Sequence, residues 1–173
     1  MNSELVKLVA NKRALVYVVT IADISTLLRL LGDRATSHFH SNENNLANLN
    51  DWKQGRKDVL IATNGFGAGV DVKINLVIHY GGSHSPTHYI QETGRAGRGE
   101  EKGECYLLTA RGFEIKYNNV VSDAIWRFIN DSICIRLRIA IVTQDDSCQP
   151  CWLNRAQEMC SWCDWFINSQ KFR

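Results

Sequence analysis

Four short, near-continuous apolar runs set the strongest constraint on what this chain can fold into. They are ALVYVVT (Ala14 to Thr20), DVLIA (Asp58 to Ala62), NLVIHY (Asn75 to Tyr80) and ECYLLT (Glu104 to Thr109). Asp58 to Ala62 and Asn75 to Tyr80 have the pattern of strands covered on both faces in a parallel sheet, and the other two runs read as further strands. Helical spacing falls between them. Ile24, Leu27, Leu28 and Leu31 put one apolar face on Ile21 to Leu31, and Leu46, Leu49 and Trp52 do the same over Glu43 to Gln54 before Gly55 stops the helix. Thr36 to Ser41 reads as a further short strand, and Pro86 opens a helix continued by Tyr89, Ile90 and Thr93. Strands and helices alternating over Arg13 to Thr109 predict an α/β layer fold with a parallel sheet, and ligands then belong at the strands' C-terminal ends.

A composition shift near residue 110 predicts two parts, residues 1–110 and 111–173. Phe113 to Ile129 looks helical, and four of the five Trp and five of the six Cys lie beyond residue 125. At 45% hydrophobic and 22% charged residues the 173-residue chain is of globular composition. Lys+Arg 20 against Asp+Glu 18 leaves a net charge of only +2, so any nucleic-acid contact has to be local. No apolar run approaches the roughly 18 residues of a membrane span, and the opening carries Glu4 and Lys7, which argues against a secretory signal. A nuclear protein is expected, or a cytoplasmic or nucleoid one in a prokaryote.

Two segments carry chemistry. The glycine-rich loop Gly65 to Asp71 directly follows a strand, and its glycines let backbone approach a phosphate or sugar. It is not a dinucleotide fingerprint, since no acid stands between Ser83 and Ile90. A tight strand exit without ligand remains the alternative for the loop alone. In QETGRAGR, Arg95 and Arg98 are three apart, separated by small residues. Two guanidiniums offered together suit a polyphosphate, because each is always charged and hydrogen-bonds two oxygens at once.

Together, VLIATNGFGAGVDVKINLVIHYG (Val59 to Gly81) and YIQETGRAGRGEEKGE (Tyr89 to Glu104) resemble motifs V and VI of superfamily 2 helicases, specifically RecQ-like DNA helicases. The resemblance covers about Arg13 to Leu108 and implies the second RecA-like lobe, which closes over ATP bound with Mg²⁺ mainly by a first lobe. Arg98 then matches the arginine finger, Arg95 supports the same phosphate, and Gln91 lies at the lobe interface. Asp71, with Gly67 and Gly69 keeping the loop tight, matches the carboxylate that touches the nucleotide sugar or the motif VI arginines. Thr63 and Asn64 stand where the family contacts the DNA backbone. Gly99-Glu100 departs from the Asp-Gly common after the second arginine.

No G-x-x-x-x-G-K-[ST] loop and no DEAH-like quartet occurs in these residues. The implied partners are therefore DNA and a first RecA-like lobe, in cis or in trans, and little ATPase or unwinding is expected from the chain by itself. The alternatives are a non-catalytic, zinc-stabilised module that binds DNA or a helicase, and a truncated fragment.

Cys148-x-x-Cys151 and Cys160-x-x-Cys163, eight residues apart, have the spacing of a closed four-thiolate Zn²⁺ site. The family resemblance implies a zinc subdomain here in which Cys134 is the first ligand, Cys148 or Cys151 the second, and Cys160 with Cys163 the closing pair. Buried unligated thiols packed on Trp152, Trp162 and Trp165 are the other reading. Redox catalysis is disfavoured because the pairs do not precede a helix in a βαβ unit. His38, His40, His79, His84 and His88 are assigned no metal; His84 and His88 flank motif VI, near enough to meet DNA phosphate.

Overall fold

The computed structural model describes residues 1–39, 42–63, 66, 72, 74–97, 102–109, 120–153 and 158–170, without the side chains of residues 120–122 and 170. The elements run α1 (Asn2–Leu8), β1 (Ala14–Val18), α2 (Ile21–Leu31), β2 (Ala35–His38), α3 (Asn45–Lys53), β3 (Val59–Thr63), β4 (Leu76–Tyr80), α4 (Pro86–Thr93), β5 (Glu104–Leu108), α5 (Val120–Asn130), α6 (Ile135–Thr143) and α7 (Ser161–Gln170). They form two compact units, Met1–Lys116 and Tyr117–Arg173.

In the first unit all five strands pair in parallel in the order β2-β3-β1-β4-β5. Every residue of β1 and β4 is buried. Period-2 alternation sends Ala14, Val16 and Val18 to one face, with Leu5, Val9, Ile24 and Leu27 of the α1 and α2 segments, and Leu15 and Tyr17 to the other, with Trp52, Leu60 and Val77. Local chemistry starts the helices where the chain leaves the sheet. The Thr20 hydroxyl accepts from the Asp23 amide (3.2 Å) before α2, and Ser85 accepts from His88 (3.2 Å) before α4, whose first residue is Pro86.

The predicted helix over Glu43 to Gln54 forms as α3, but Leu46 is 80% exposed, so Trp52 anchors it, with half-buried Leu49 packed beside it. Trp52 is fully buried, its indole N–H donates to the Asp58 carbonyl (3.3 Å), and the Arg13 guanidinium lies 5.1 Å over its ring. Trp52→Ala is expected to cost about 3–5 kcal/mol in urea unfolding, the range for emptying a large aromatic site. A loss below about 1 kcal/mol would place the anchor elsewhere.

The second unit is helical as far as it is described. α5 covers the later part of the helix predicted from Phe113; residues 113–119 lie outside the described set. Its core centres on Cys134, Cys151 and Cys163, with Leu137, Cys160 and Trp162 against them. Among the described residues no helix is long and apolar enough to cross a membrane.

Candidate functional site

β3 ends at Thr63, which stands in register with Val18 of the central strand. The chain then turns, and the Phe66 amide donates to the Thr63 carbonyl (3.4 Å). Phe66 is buried, its ring against His38 (4.6 Å between centroids), and its carbonyl accepts from the Tyr17 hydroxyl (3.1 Å). Burial lowers the His38 pKa. The exit from β3 is thus held at Phe66 from two strands. Asn64, Gly67, Gly69 and Asp71 lie outside the described residues.

α4 carries the start of the QETGRAGR segment. Gln91 is exposed and Glu92 buried. Arg95 is half-buried two residues after the helix, its amide donating to the Glu92 carbonyl (3.3 Å). Burial raises the Tyr17 pKa well above the usual phenol range; the Arg95 charge opposes this and the Glu92 carboxylate adds to it. The Tyr17 hydroxyl thus donates to the Phe66 carbonyl and feels the charge of Arg95. Arg98 lies outside the described residues.

The segment leading to Arg98 is held from below. Ala96 bridges Ile74, and the Gly97 amide, at φ +70°, donates to the Ile74 carbonyl (3.0 Å). A Cβ on Gly103 would stand 2.6 Å from the Ala96 carbonyl carbon and the Gly97 nitrogen. Backbone on both sides leaves that methyl no room. Gly103→Ala is expected to destabilise the first unit by about 1–3 kcal/mol in urea unfolding, the usual cost of overpacking. An unchanged midpoint would show that the segment yields freely.

His79, which sequence reasoning dismissed with the other histidines, is fully buried, with Nε2 2.8 Å from Glu92 Oε2. The signal available was an acid beside the Gln of QETGR, pointing inward from α4. His88 Nδ1 lies 2.7 Å from the Ser85 Oγ that caps α4. His40 falls outside the described residues.

In the second unit the sulfurs of Cys134, Cys151, Cys160 and Cys163 all lie within 4.8 Å of one another. Cys148 is not among them; its thiol points to the Arg136 carbonyl (3.6 Å). The set is thus one Cys before α6, one from the first C-x-x-C and both from the second. Separations of 3.3, 3.3 and 3.9 Å bracket the edge of about 3.8 Å expected for a tetrahedron with metal–sulfur bonds of about 2.3 Å. None of these cysteines is in a disulfide. Burial raises the pKa of Cys151 and Cys163, whereas Cys134, despite burial, is brought down to about 6 by the backbone amides of Cys151 and Leu137. Arg136 donates to Cys151 Sγ (2.8 Å), adding a positive charge beside the sulfurs. This donor set fits a soft divalent cation such as Zn²⁺. The closing C-x-x-C opens a helix, α7, and no strand accompanies it among the described residues of this unit. Trp152, Trp162 and Phe166 pack together beside the cluster, while Trp165 is 64% exposed.

The sheet order and its flanking helices are those of a RecA-like lobe, and the chain belongs to the helicase conserved C-terminal domain family, whose model matches residues 1–100. The RecQ-like resemblance is borne out among its relatives. The ATP-dependent DNA helicase Q1 of Rattus norvegicus is 31% identical over 118 residues, 64% of this chain and 19% of that protein. The DEAD-box ATP-dependent RNA helicase 15 of Arabidopsis thaliana is 33% identical over 84 residues, 48% of this chain and 20% of that protein. This chain thus spans about a fifth of the length of either. A crystal structure of a DEAD box protein from Methanococcus jannaschii superposes with a TM-score of 0.55 at 26% identity, covering 65% of this chain and 33% of that one.

Proposed function

We propose that the chain is the nucleotide-closing lobe of an ATP-dependent 3′ to 5′ DNA helicase of RecQ type, completed by a first RecA-like lobe that holds ATP and Mg²⁺. The observation that supports this most is the meeting of the two segments on one residue of the central strand, where Tyr17 donates to the Phe66 carbonyl and stacks on His79, itself bonded to Glu92 of α4. Thr63 and Asn64 position DNA by its backbone, a contact that reads no sequence. Gly67, Gly69 and Asp71 face the nucleotide. Arg98 stabilises charge developing on the γ-phosphoryl group, Arg95 supports the same phosphate, and exposed Gln91 meets the first lobe. Cys134, Cys151, Cys160 and Cys163 bind a structural Zn²⁺. DNA is preferred to RNA as the partner because the rat DNA helicase aligns over more of the chain than the Arabidopsis RNA helicase.

The second reading is a non-catalytic DNA- or helicase-binding module. A chimera in which this whole chain replaces the matching segment of the rat DNA helicase Q1 separates the two. DNA-dependent ATP hydrolysis is expected; a folded chimera that binds DNA without turnover would overturn the helicase reading in favour of the module.

A further inference from the structure

The His79–Glu92 pair sits in the core of the first unit, with His79 fully buried and Glu92 5% exposed. Glu92 Oε1 and His79 Nδ1 are buried without a hydrogen-bond partner among the described residues. A pair so placed is weak evidence for stability, because desolvation offsets its attraction, and apolar residues of similar volume often do as well. Its geometry is what distinguishes it. The imidazole is stacked on Tyr17 (5.4 Å, 18°) and tilted against Tyr89 of α4 (4.7 Å, 48°), so it cannot rotate freely. Glu92 stands three residues before Arg95 on the same helical path. Tyr17 is opposite His79 in the sheet register, on a strand paired along both edges.

We propose that Tyr17 and the buried His79–Glu92 pair form a positioning unit that ties the Arg95 segment to the Phe66 loop, so that DNA held at the β3 exit sets the placement of the motif VI arginine. The path is continuous: Phe66 carbonyl to Tyr17 hydroxyl, Tyr17 ring to His79, His79 to Glu92, and the Glu92 carbonyl to the Arg95 amide (3.3 Å). Tyr17 is the post, because β1 cannot shift without breaking two ladders. The functional half of this inference rests on the helicase reading; the physical link does not.

The link is tested on the whole chain by amide hydrogen exchange. Tyr17→Phe keeps the ring stack and removes only the hydroxyl. Exchange at Phe66 and at Arg95 to Gly97 should quicken together, by about tenfold, while Val16 and Ile61 keep their protection. Glu92→Gln, which keeps shape and removes charge, should quicken the same two segments. Quickening at one segment alone, or an equal rise at Val16 and Ile61, would overturn the link. In the rat helicase chimera, Tyr17→Phe should lower the ratio of DNA-stimulated to basal ATP turnover by about tenfold or more, a loss of about 1.4 kcal/mol of coupling. An unchanged ratio would overturn the coupling. If the unsubstituted chimera is inactive, the helicase reading fails and the exchange experiment alone judges the positioning unit.

Discussion

Arg98→Ala, made in the chain completed by a RecQ-type first lobe, is expected to lower ATP turnover by about 10³ to 10⁵, the scale of arginine fingers in phosphoryl transfer. The reason is electrostatic. As the γ-phosphoryl group leaves, charge spreads onto its equatorial and bridging oxygens, and a fixed guanidinium in a dry cleft stabilises that charge without reorganising at the moment of reaction. Among the described residues, Gly97, the residue before Arg98, is bonded to Ile74 and closed in by Gly103. Because the lost interaction belongs to the transition state, kcat should fall far more than the affinity for ATP. The unfolding midpoint of the chain should be unchanged. Steady-state kinetics of the mixed lobes measures both, and turnover within tenfold of the parent would remove Arg98 from the finger role.

The zinc proposal makes an equally severe prediction for the second unit. The three most buried of the four clustered cysteines form the heart of its core, so a Cys163→Ser substitution takes away a proposed ligand and a packing group together. Structural zinc sites of this kind contribute on the order of 10–16 kcal/mol of binding free energy at neutral pH, which in a small unit is folding free energy. Cys163→Ser is therefore expected to abolish stoichiometric zinc and to melt the helical signal of the second unit, while the five-stranded unit keeps its own transition. Cys148→Ser should retain zinc, because that sulfur turns away to Arg136. Elemental analysis with circular dichroism checks both variants. Parent protein carrying no metal, or a Cys148→Ser protein that loses it, would contradict the assignment.

The sheet was legible because burial on both faces leaves a mark in ALVYVVT, DVLIA and NLVIHY, which became β1, β3 and β4; ECYLLT became β5, an edge strand whose residues are only partly buried or exposed. α1 was not, since only Leu5 is buried in its seven residues. α6 was missed for a different reason. Ile135, Ile139, Ile141 and Val142 are β-branched, a composition with little helical bias, and the unit's packing decides the outcome. Leu46 fitted the helical spacing yet lies in solvent, because spacing gives a face and not its depth. The cysteine spacing allowed several sets of four; choosing Cys134 and Cys151 over Cys148 needed α6 and the following turn to fold back. The His79–Glu92 pair was invisible because its members are thirteen positions apart on different elements and meet only across the sheet.

The central claim, that this lobe completes a helicase motor, is tested most directly by ATP hydrolysis with single-stranded DNA and Mg²⁺, measured for the full chain with and without a separately expressed RecQ-type first lobe. The account predicts turnover that appears on mixing and rises with DNA. No turnover from the mixture, with the chain folded and both lobes able to associate, would contradict it.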